Sequence, residues 1–205
     1  MFTLPELAHI TGGTLIGPDT GPVNGISTDS RNIAPGNLFI PLKGEQFDGH
    51  DYIATLTVKR ITACLCTSSW LAQHTPPPSI SCIAVSDTLQ ALGDLAAAWR
   101  KRFALTMIGV TGSNGKTTTK EMLAAILGRL DQGLKTSGNL NNLIGLPQML
   151  FQLKPEHCWA VLEMGMSEPG EIDRLAAIAQ PSIGIVLNAF PAHLQSMGSI
   201  EAIAQ

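Results

Sequence analysis

The sequence predicts an α/β protein with a small N-terminal α/β domain, residues 1–85, followed by a parallel-sheet domain, residues 86–205. Three observations predict this organisation. Short apolar runs separated by turn residues fill the first stretch, and a rigid proline-rich segment, 75–79, interrupts them. After Val85 strand-like runs alternate with helical patterns, which favours a parallel sheet with helices on both faces. A glycine-rich loop also stands between one of these strands and the next helix.

The first domain contains one predicted helix and three predicted strands. The helix covers Leu4–Ile10 and ends at the glycines that follow it, which are typical of a helix C-cap. β-rich apolar runs bounded by Gly, Pro or Ser predict strands over 37–42, 61–67 and 80–85.

The second domain opens with a helix for which Asp87 is the predicted N-cap. Apolar residues recur at helical spacing from Leu89 to Trp99. Beyond it the pattern predicts strands over 105–110, 158–164 and 183–187, and helices over 116–130 and 171–179. The last residues, 200–205, resemble the opening of a helix, so we expect the chain to be a fragment.

Composition restricts the class of protein. Of 205 residues, 44% are hydrophobic and 14% charged, which is typical of a globular protein with one or two domains. The net charge of −3 provides no basic surplus for nucleic acid. No apolar run reaches the roughly 18 residues of a membrane span, so we expect no membrane insertion. No basic segment precedes an apolar run at the N-terminus, which argues against a secretory signal.

Four cysteines occur, at 64, 66, 82 and 158. None forms the CxxC pair that metal sites commonly use, and no histidine stands beside Cys64, Cys66 or Cys82. We therefore expect small buried hydrophobic residues in a reducing, cytoplasmic environment.

The segment 110–119, VTGSNGKTTT, carries the strongest chemical signal. It follows an apolar strand and opens a helix, the context that a phosphate-binding loop requires. The general pattern G-x4-G-K-[ST] would place glycine at Val110, whereas the shorter G-x2-G-K-T fits fully. The alternative is a glycine-rich turn with an exposed lysine. The predicted nucleotide-binding residues are Gly112, Ser113, Asn114, Gly115, Lys116, Thr117 and Thr118.

Within this loop Lys116 is the predicted cation for the β- and γ-phosphates, and Thr117 a predicted Mg²⁺ ligand. A second metal ligand should end a neighbouring strand, and Glu163 does so. The alternative for Glu163 is a solvated carboxylate at the sheet edge. The N-K-x-D motif of GTPases is absent from the sequence, which favours ATP.

The segment 111–122, TGSNGKTTTKEM, resembles the phosphate loop of the Mur ligases. Further motifs similar to that family are TDSR at 28–31, LKGEQFDGHD at 42–51, EMG at 163–165 and GEI at 170–172. The segment 138–147, GNLNNLIGLP, resembles the members that add D-alanyl-D-alanine. The resemblance implies an ATP- and Mg²⁺-dependent ligase that joins D-alanyl-D-alanine to UDP-N-acetylmuramoyl-tripeptide through an acyl phosphate.

The resemblance also implies roles for individual residues. It makes Lys116, Glu163 and His193 catalytic, with Thr117, Glu163 and His193 near metal. Its implied substrate-binding residues are Thr28, Asp29, Ser30, Arg31, Asn139, Asn141 and Asn142. The residues alone leave alternatives open. Positions 28–31 also fit a polar turn capped by Asp29, the asparagines fit a turn-rich loop, and a lone histidine is often structural.

Mur ligases have three domains and more than twice this length. The resemblance therefore implies a truncated central domain, an absent C-terminal domain, and a chain that binds substrate without completing ligation. Two alternatives stay open. One is another ligase of the superfamily, such as a folylpolyglutamate synthetase, which should lack the N-terminal motifs. The other is a non-catalytic module that binds a nucleotide sugar.

Overall fold

The computed structural model describes residues 1–190 and residue 199. The chain divides into two compact units, Met1–Leu95 and Ala96–Gln205. This division falls inside a helix, α3, that spans Thr88–Arg100, whereas the predicted domain boundary lies just before that helix. Among the described residues no helix has the length and apolar character needed to cross a membrane.

The first unit is a five-stranded mixed sheet with short helices. Strand β1 pairs with β5 in antiparallel fashion, and the other neighbours are parallel, in the order β1-β5-β4-β3-β2. The elements are α1 Leu4–Thr11, β1 Thr14–Ile16, β2 Gly25–Ser27, β3 Asn37–Phe39, a 3-10 helix Gly49–Lys59, β4 Ala63–Thr67, α2 Ser68–Leu71 and β5 Ser81–Val85.

Local chemistry explains the ends of α1. Thr3 and Glu6 form a reciprocal capping box at its start, which satisfies N–H groups that the helix leaves unpaired. Gly12 ends the helix in the left-handed conformation, with φ 61°. The C-cap predicted from the glycine pair is therefore confirmed.

The cysteines of the first unit lie in its core. Cys64, Cys66 and Cys82 are buried in one apolar cluster with Phe39 and Ile53. The first two share a face of β4 because side chains alternate along a strand. Cys158, in the second unit, is exposed. The prediction of burial is confirmed for three cysteines and wrong for the fourth, which stands just before a strand rather than within it.

The second unit contains a four-stranded sheet in the order β7-β8-β6-β9, in which every pair of neighbours is parallel. The predicted parallel sheet is therefore confirmed. Its elements after α3 are β6 Thr106–Thr111, α4 Lys116–Leu127, β7 Gly133–Lys135, α5 Gly145–Leu150, β8 Trp159–Glu163, α6 Glu171–Ala179 and β9 Ile183–Val186.

Strand β8 contributes to a core on each face of this sheet. Ala160 and Leu162 belong to a cluster with residues of α5 and α6. Trp159 and Val161 belong to another cluster, which includes Ala124 of α4. Both faces of β8 are thus covered, which explains why its sequence is continuously apolar until Glu163.

Candidate functional site

The glycine-rich loop, Gly112–Gly115, joins the carboxyl end of β6 to the start of α4. Gly112 has φ 139°, and a Cβ there would lie 3.1 Å from the backbone nitrogen of Asn188. Gly115 has φ 86° and forms the N-cap of α4. Both positions therefore favour glycine. The first helical hydrogen bond runs from Thr119 N to Gly115 O, 2.9 Å, so the preceding N–H groups of α4 have no intrahelical acceptor and suit an anion.

Asn188, just after β9, holds the shape of this loop. Its Oδ1 accepts a hydrogen bond from Asn114 N at 3.0 Å, and its Nδ2 donates one to Asn114 O at 3.1 Å. Its backbone oxygen accepts a third from Ser113 N at 3.2 Å. Two N–H groups predicted to bind phosphate are thus engaged within the protein. None of the sequence motifs given above contains Asn188, and its contact with the loop could not be inferred from spacing.

Lys116 is half-buried and lies over the loop. Its Nζ donates to Gly112 O at 2.5 Å and approaches Ser113 O at 3.4 Å. The ammonium therefore lies against two backbone oxygens of the loop. Negative phosphate oxygens would be stronger acceptors for the same donor.

Glu163 and Thr117 meet beside the loop. The register of the sheet pairs Glu163 with Val110, so the carboxylate stands at the strand end from which the loop departs. Glu163 is buried, with 2% of its surface exposed, and its Oε2 accepts a hydrogen bond from Thr117 Oγ1 at 3.2 Å. The alternative of a solvated edge carboxylate does not fit this burial.

Lys120 is a further candidate that the sequence motifs do not indicate. It is 2% exposed, and its Nζ lies 3.1 Å from Glu163 Oε1 and 3.0 Å from Glu121 Oε1. It also donates to Thr136 O at 2.9 Å. Burial acts to lower the pKa of Lys120, but the hydrogen bonds and charges of Glu121 and Glu163 outweigh it and raise the pKa. Its position four residues after Lys116 was the available signal, because such residues share a helix face.

The residues beside the loop fit a magnesium ion. Glu163 Oε2 and the Thr117 hydroxyl stand together beside the loop, whereas Oε1 is buried and faces Lys120 at 3.1 Å. Mg²⁺ commonly takes one or two protein oxygens and completes its shell with water and phosphate. Within residues 1–190 and 199 no group of three or more His, Cys, Asp or Glu side chains could hold a metal. His193 lies outside the described residues.

The asparagine loop lies beside the end of β8. Asn141 O accepts a hydrogen bond from Gly165 N at 2.8 Å, two residues after Glu163. Asn142 Oδ1 accepts hydrogen bonds from Ile144 N and Gly145 N at 3.1 and 2.8 Å, and so satisfies two N–H groups at the start of α5. Asn139 is exposed. The side-chain oxygen of Asn142 is thus used in forming the loop.

Residues 28–31 follow β2 in the first unit. The carboxylate of Asp29 accepts two hydrogen bonds from the guanidinium of Arg31, at 2.9 and 3.1 Å, and one from Arg31 N. These hydrogen bonds lower the pKa of Asp29 from 3.8 to about 2. The Arg31 side chain is 84% exposed. Asp29 therefore shapes a polar turn that presents Arg31 to solvent.

Two family models match the chain. The catalytic-domain model of the Mur ligase family matches residues 22–100, and the Mur ligase middle-domain model matches residues 110–205. The chain belongs to the Mur ligase family. The similarity to this family stated from the sequence motifs is confirmed.

Individual Mur ligases match the chain over nearly its whole length. The UDP-N-acetylmuramoyl-tripeptide–D-alanyl-D-alanine ligases of Bacillus subtilis and Escherichia coli are 42% and 39% identical, each over 99% of the chain. The chain spans 44% and 43% of those relatives. A crystal structure of MurF from Acinetobacter baumannii has a TM-score of 0.89 at 40% identity, covering 99% of this chain and 44% of that one.

A MurF ligase from Thermotoga maritima, solved in complex with ADP, has a TM-score of 0.78 at 36% identity. It covers 87% of this chain, which covers 40% of that ligase. In the present Mur ligase chain, the predicted residues Lys116, Thr117 and Glu163 come together at one end of the second sheet. The predicted residues Thr28–Arg31 belong to the first unit.

Proposed function

We propose that this chain carries the UDP-substrate-binding part and a portion of the ATP-binding part of a ligase of peptidoglycan synthesis. The reaction joins D-alanyl-D-alanine to UDP-N-acetylmuramoyl-tripeptide. The terminal carboxylate of the tripeptide attacks the γ-phosphorus of ATP, the bond to the bridging oxygen breaks, and ADP leaves. The amine of D-alanyl-D-alanine then attacks the acyl carbon, loses a proton, and displaces phosphate.

The observation that carries the proposal is the pairing of Thr117 with the buried Glu163 beside a glycine-rich loop at a helix N-terminus. This arrangement combines N–H donors, a lysine and two hard oxygen ligands in a small volume. Phosphoryl transfer requires mostly positioning and neutralisation of charge, which these groups supply. The names of the relatives, each similar over almost the full chain, support the choice of substrates.

Each residue has a proposed task. Lys116 leaves the loop carbonyls to contact the β- and γ-phosphates, and the free N–H groups of Gly115 to Thr118 bind phosphate oxygens. Thr117 and Glu163 hold Mg²⁺, which when bound supplies positive charge to the phosphates. Ser113 and Asn114 act through the shape of the loop, because Asn188 engages their N–H groups. His193 remains a proposed catalytic and metal-site residue on resemblance.

For the UDP substrate we propose the turn Thr28–Arg31 and the loop that contains Asn139, Asn141 and Asn142. Arg31 is the cation of the turn, and its exposed guanidinium keeps donors for a diphosphate while it pairs with Asp29. Since Asn142 Oδ1 accepts a hydrogen bond from Gly145 N, the amide NH₂ of Asn142 is the group proposed to reach the substrate. We also propose a cytoplasmic location for the protein. The Sγ atoms of Cys64 and Cys82 lie 3.3 Å apart as free thiols, and such thiols stay reduced in the cytoplasm.

Separate calorimetric titrations test the proposal. The chain is titrated with ADP and with UDP-N-acetylmuramoyl-tripeptide, each in Mg²⁺ and in EDTA. We expect both to bind, and ADP to bind more tightly in Mg²⁺. Binding of ADP alone would favour another ligase of the superfamily, and binding of the nucleotide sugar alone would favour a non-catalytic module.

Ligation itself is proposed for a protein that includes the part of the relatives beyond the match. Residues 1–205 alone should bind without turnover, since the relatives are more than twice as long. Release of phosphate from ATP, UDP-N-acetylmuramoyl-tripeptide and D-alanyl-D-alanine measures this. Sustained release by the 205-residue chain would contradict the expectation.

A further inference from the structure

Lys120 stands between the proposed metal ligand and the second carboxylate of α4. Charges alternate along a line of four side chains, because Glu163 contacts Lys120, Lys120 contacts Glu121, and Glu121 contacts Lys135. The inner pair is buried, whereas Glu121 and Lys135 are about half exposed. The line therefore runs from the proposed metal site to the surface at β7.

Lys120 also constrains the two oxygens of Glu163 differently. Its Nζ lies 3.1 Å from Oε1, whereas Oε2 faces Thr117 Oγ1. The backbone of the same glutamate is fixed from another direction, since its N–H donates to Thr136 Oγ1 at 2.8 Å, and Thr136 O accepts from Lys120 at 2.9 Å. Oε1 of Glu163 thus faces Lys120, and Oε2 faces the phosphate loop.

We infer that Lys120 is a positioning residue for the metal site: it engages Glu163 Oε1 so that Oε2 is the oxygen presented to a divalent cation. This inference rests on the proposed function, in which Glu163 and Thr117 hold Mg²⁺. Lys120 itself touches neither the cation nor the nucleotide.

A purely structural role accounts less well for a lysine here. Burying an ammonium and a carboxylate together is costly, and well-packed apolar residues often replace such a pair without loss of stability. Besides Glu121, Lys120 contacts Glu163, the proposed metal ligand, and Thr136, which holds the backbone of Glu163. Groups that orient metal ligands in this way commonly change metal affinity about 10- to 100-fold when removed.

The test measures binding of Mn²⁺ by electron paramagnetic resonance in the presence of ADP, and binding of ADP in EDTA by calorimetry. Lys120→Met should weaken Mn²⁺ binding about 10- to 100-fold, while ADP affinity in EDTA changes by no more than about twofold. Lys120→Arg, which keeps the charge, should recover part of the Mn²⁺ affinity. Lys135→Met is the matched control, because it removes the outer lysine of the same line without touching Glu163, and should leave Mn²⁺ binding unchanged.

Unchanged Mn²⁺ affinity in folded Lys120→Met would overturn this inference while leaving the proposed function intact. So would a loss of ADP affinity in EDTA as large as the loss of Mn²⁺ affinity. In a Glu163→Gln background, Lys120→Met should have little further effect on Mn²⁺ binding, and an additive loss would also contradict it. If Lys120→Met does not fold, folding of the double variant would support the pairing with Glu163, and failure of both would indicate a structural role. Absence of Mn²⁺ and ADP binding in the unsubstituted chain would instead remove the proposed function, and this inference with it.

Discussion

Replacing Lys116 by alanine tests the phosphate loop most directly. In the structure the ammonium donates to Gly112 O at 2.5 Å and lies near Ser113 O. Losing one such contact at a half-exposed site should change the free energy of unfolding by about 1 kcal/mol or less. For a domain of this size that shifts the unfolding temperature by no more than about 4–8 °C.

The effect on nucleotide binding should be larger. A hydrogen bond to a charged group contributes about 1.5–3 kcal/mol, and each 1.4 kcal/mol is about tenfold in affinity. Lys116→Ala should therefore weaken ADP binding in Mg²⁺ by about 10- to 150-fold. Calorimetry measures the affinity and differential scanning fluorimetry the stability. Lys101→Ala, at an exposed position, is the control for loss of one positive charge.

The reasoning is refuted by a folded Lys116→Ala variant that binds ADP as tightly as the unsubstituted chain. A variant that unfolds would also refute it, because the side chain is assigned no part in the core. Equal losses in Lys116→Ala and Lys101→Ala would point to general electrostatic attraction and away from a specific phosphate contact.

Three further predictions concern the phosphate loop and the turn Thr28–Arg31. Glu163→Gln should raise the Mg²⁺ concentration needed for tight ADP binding at least about tenfold, and an unchanged Mg²⁺ dependence in calorimetry would assign Glu163 a structural role only. Asn188→Ala should make the Asn114 amide exchange with solvent about tenfold faster, the equivalent of about 1.4 kcal/mol, because the acceptor at 3.0 Å is lost; equal protection by hydrogen-exchange NMR would contradict this. The depressed pKa of Asp29 means that its contribution to stability is present above about pH 4 and is lost as pH falls toward 2. Arg31→Ala should return that pKa toward 3.8, and an NMR titration of the Asp29 carboxyl that still gives about 2 would show that Arg31 is not the cause.

Sequence patterns identified the longer strands and α-helices, but missed the 3-10 helix Gly49–Lys59 and most of the three-residue strands. Strand β8 is a continuous apolar run and helix α6 has apolar residues at helical spacing, and both were predicted within a residue of their ends. Strand β7 has three residues, too few for a periodic signal. Helix α5 begins with glycine and contains Pro147, so its sequence is typical of a loop. Its start depends on the side chain of Asn142, a contact that periodicity does not report.

The same distinction applies to the candidate site. Lys116, Thr117 and Glu163 could be predicted because each has a fixed place relative to a strand end. Lys120 was not predicted, because a lysine on a helix is usually solvated, and its contact with Thr136 depends on the short strand β7, which ends one residue earlier. Asn188 is 74 residues from Asn114 in sequence, and only the pairing of β9 with β6 brings them together.

Because β8 contributes to two cores, it restricts where residues can be inserted into this chain. Consecutive residues of the strand pack into different clusters, so insertion of a single residue would exchange every apolar contact between the two faces. The same insertion would turn Glu163 away from Thr117. Insertion scanning should therefore find β8 intolerant, whereas the exposed turn at 167–170, just beyond it, should accept added residues and serve as the point at which the length of the chain can vary.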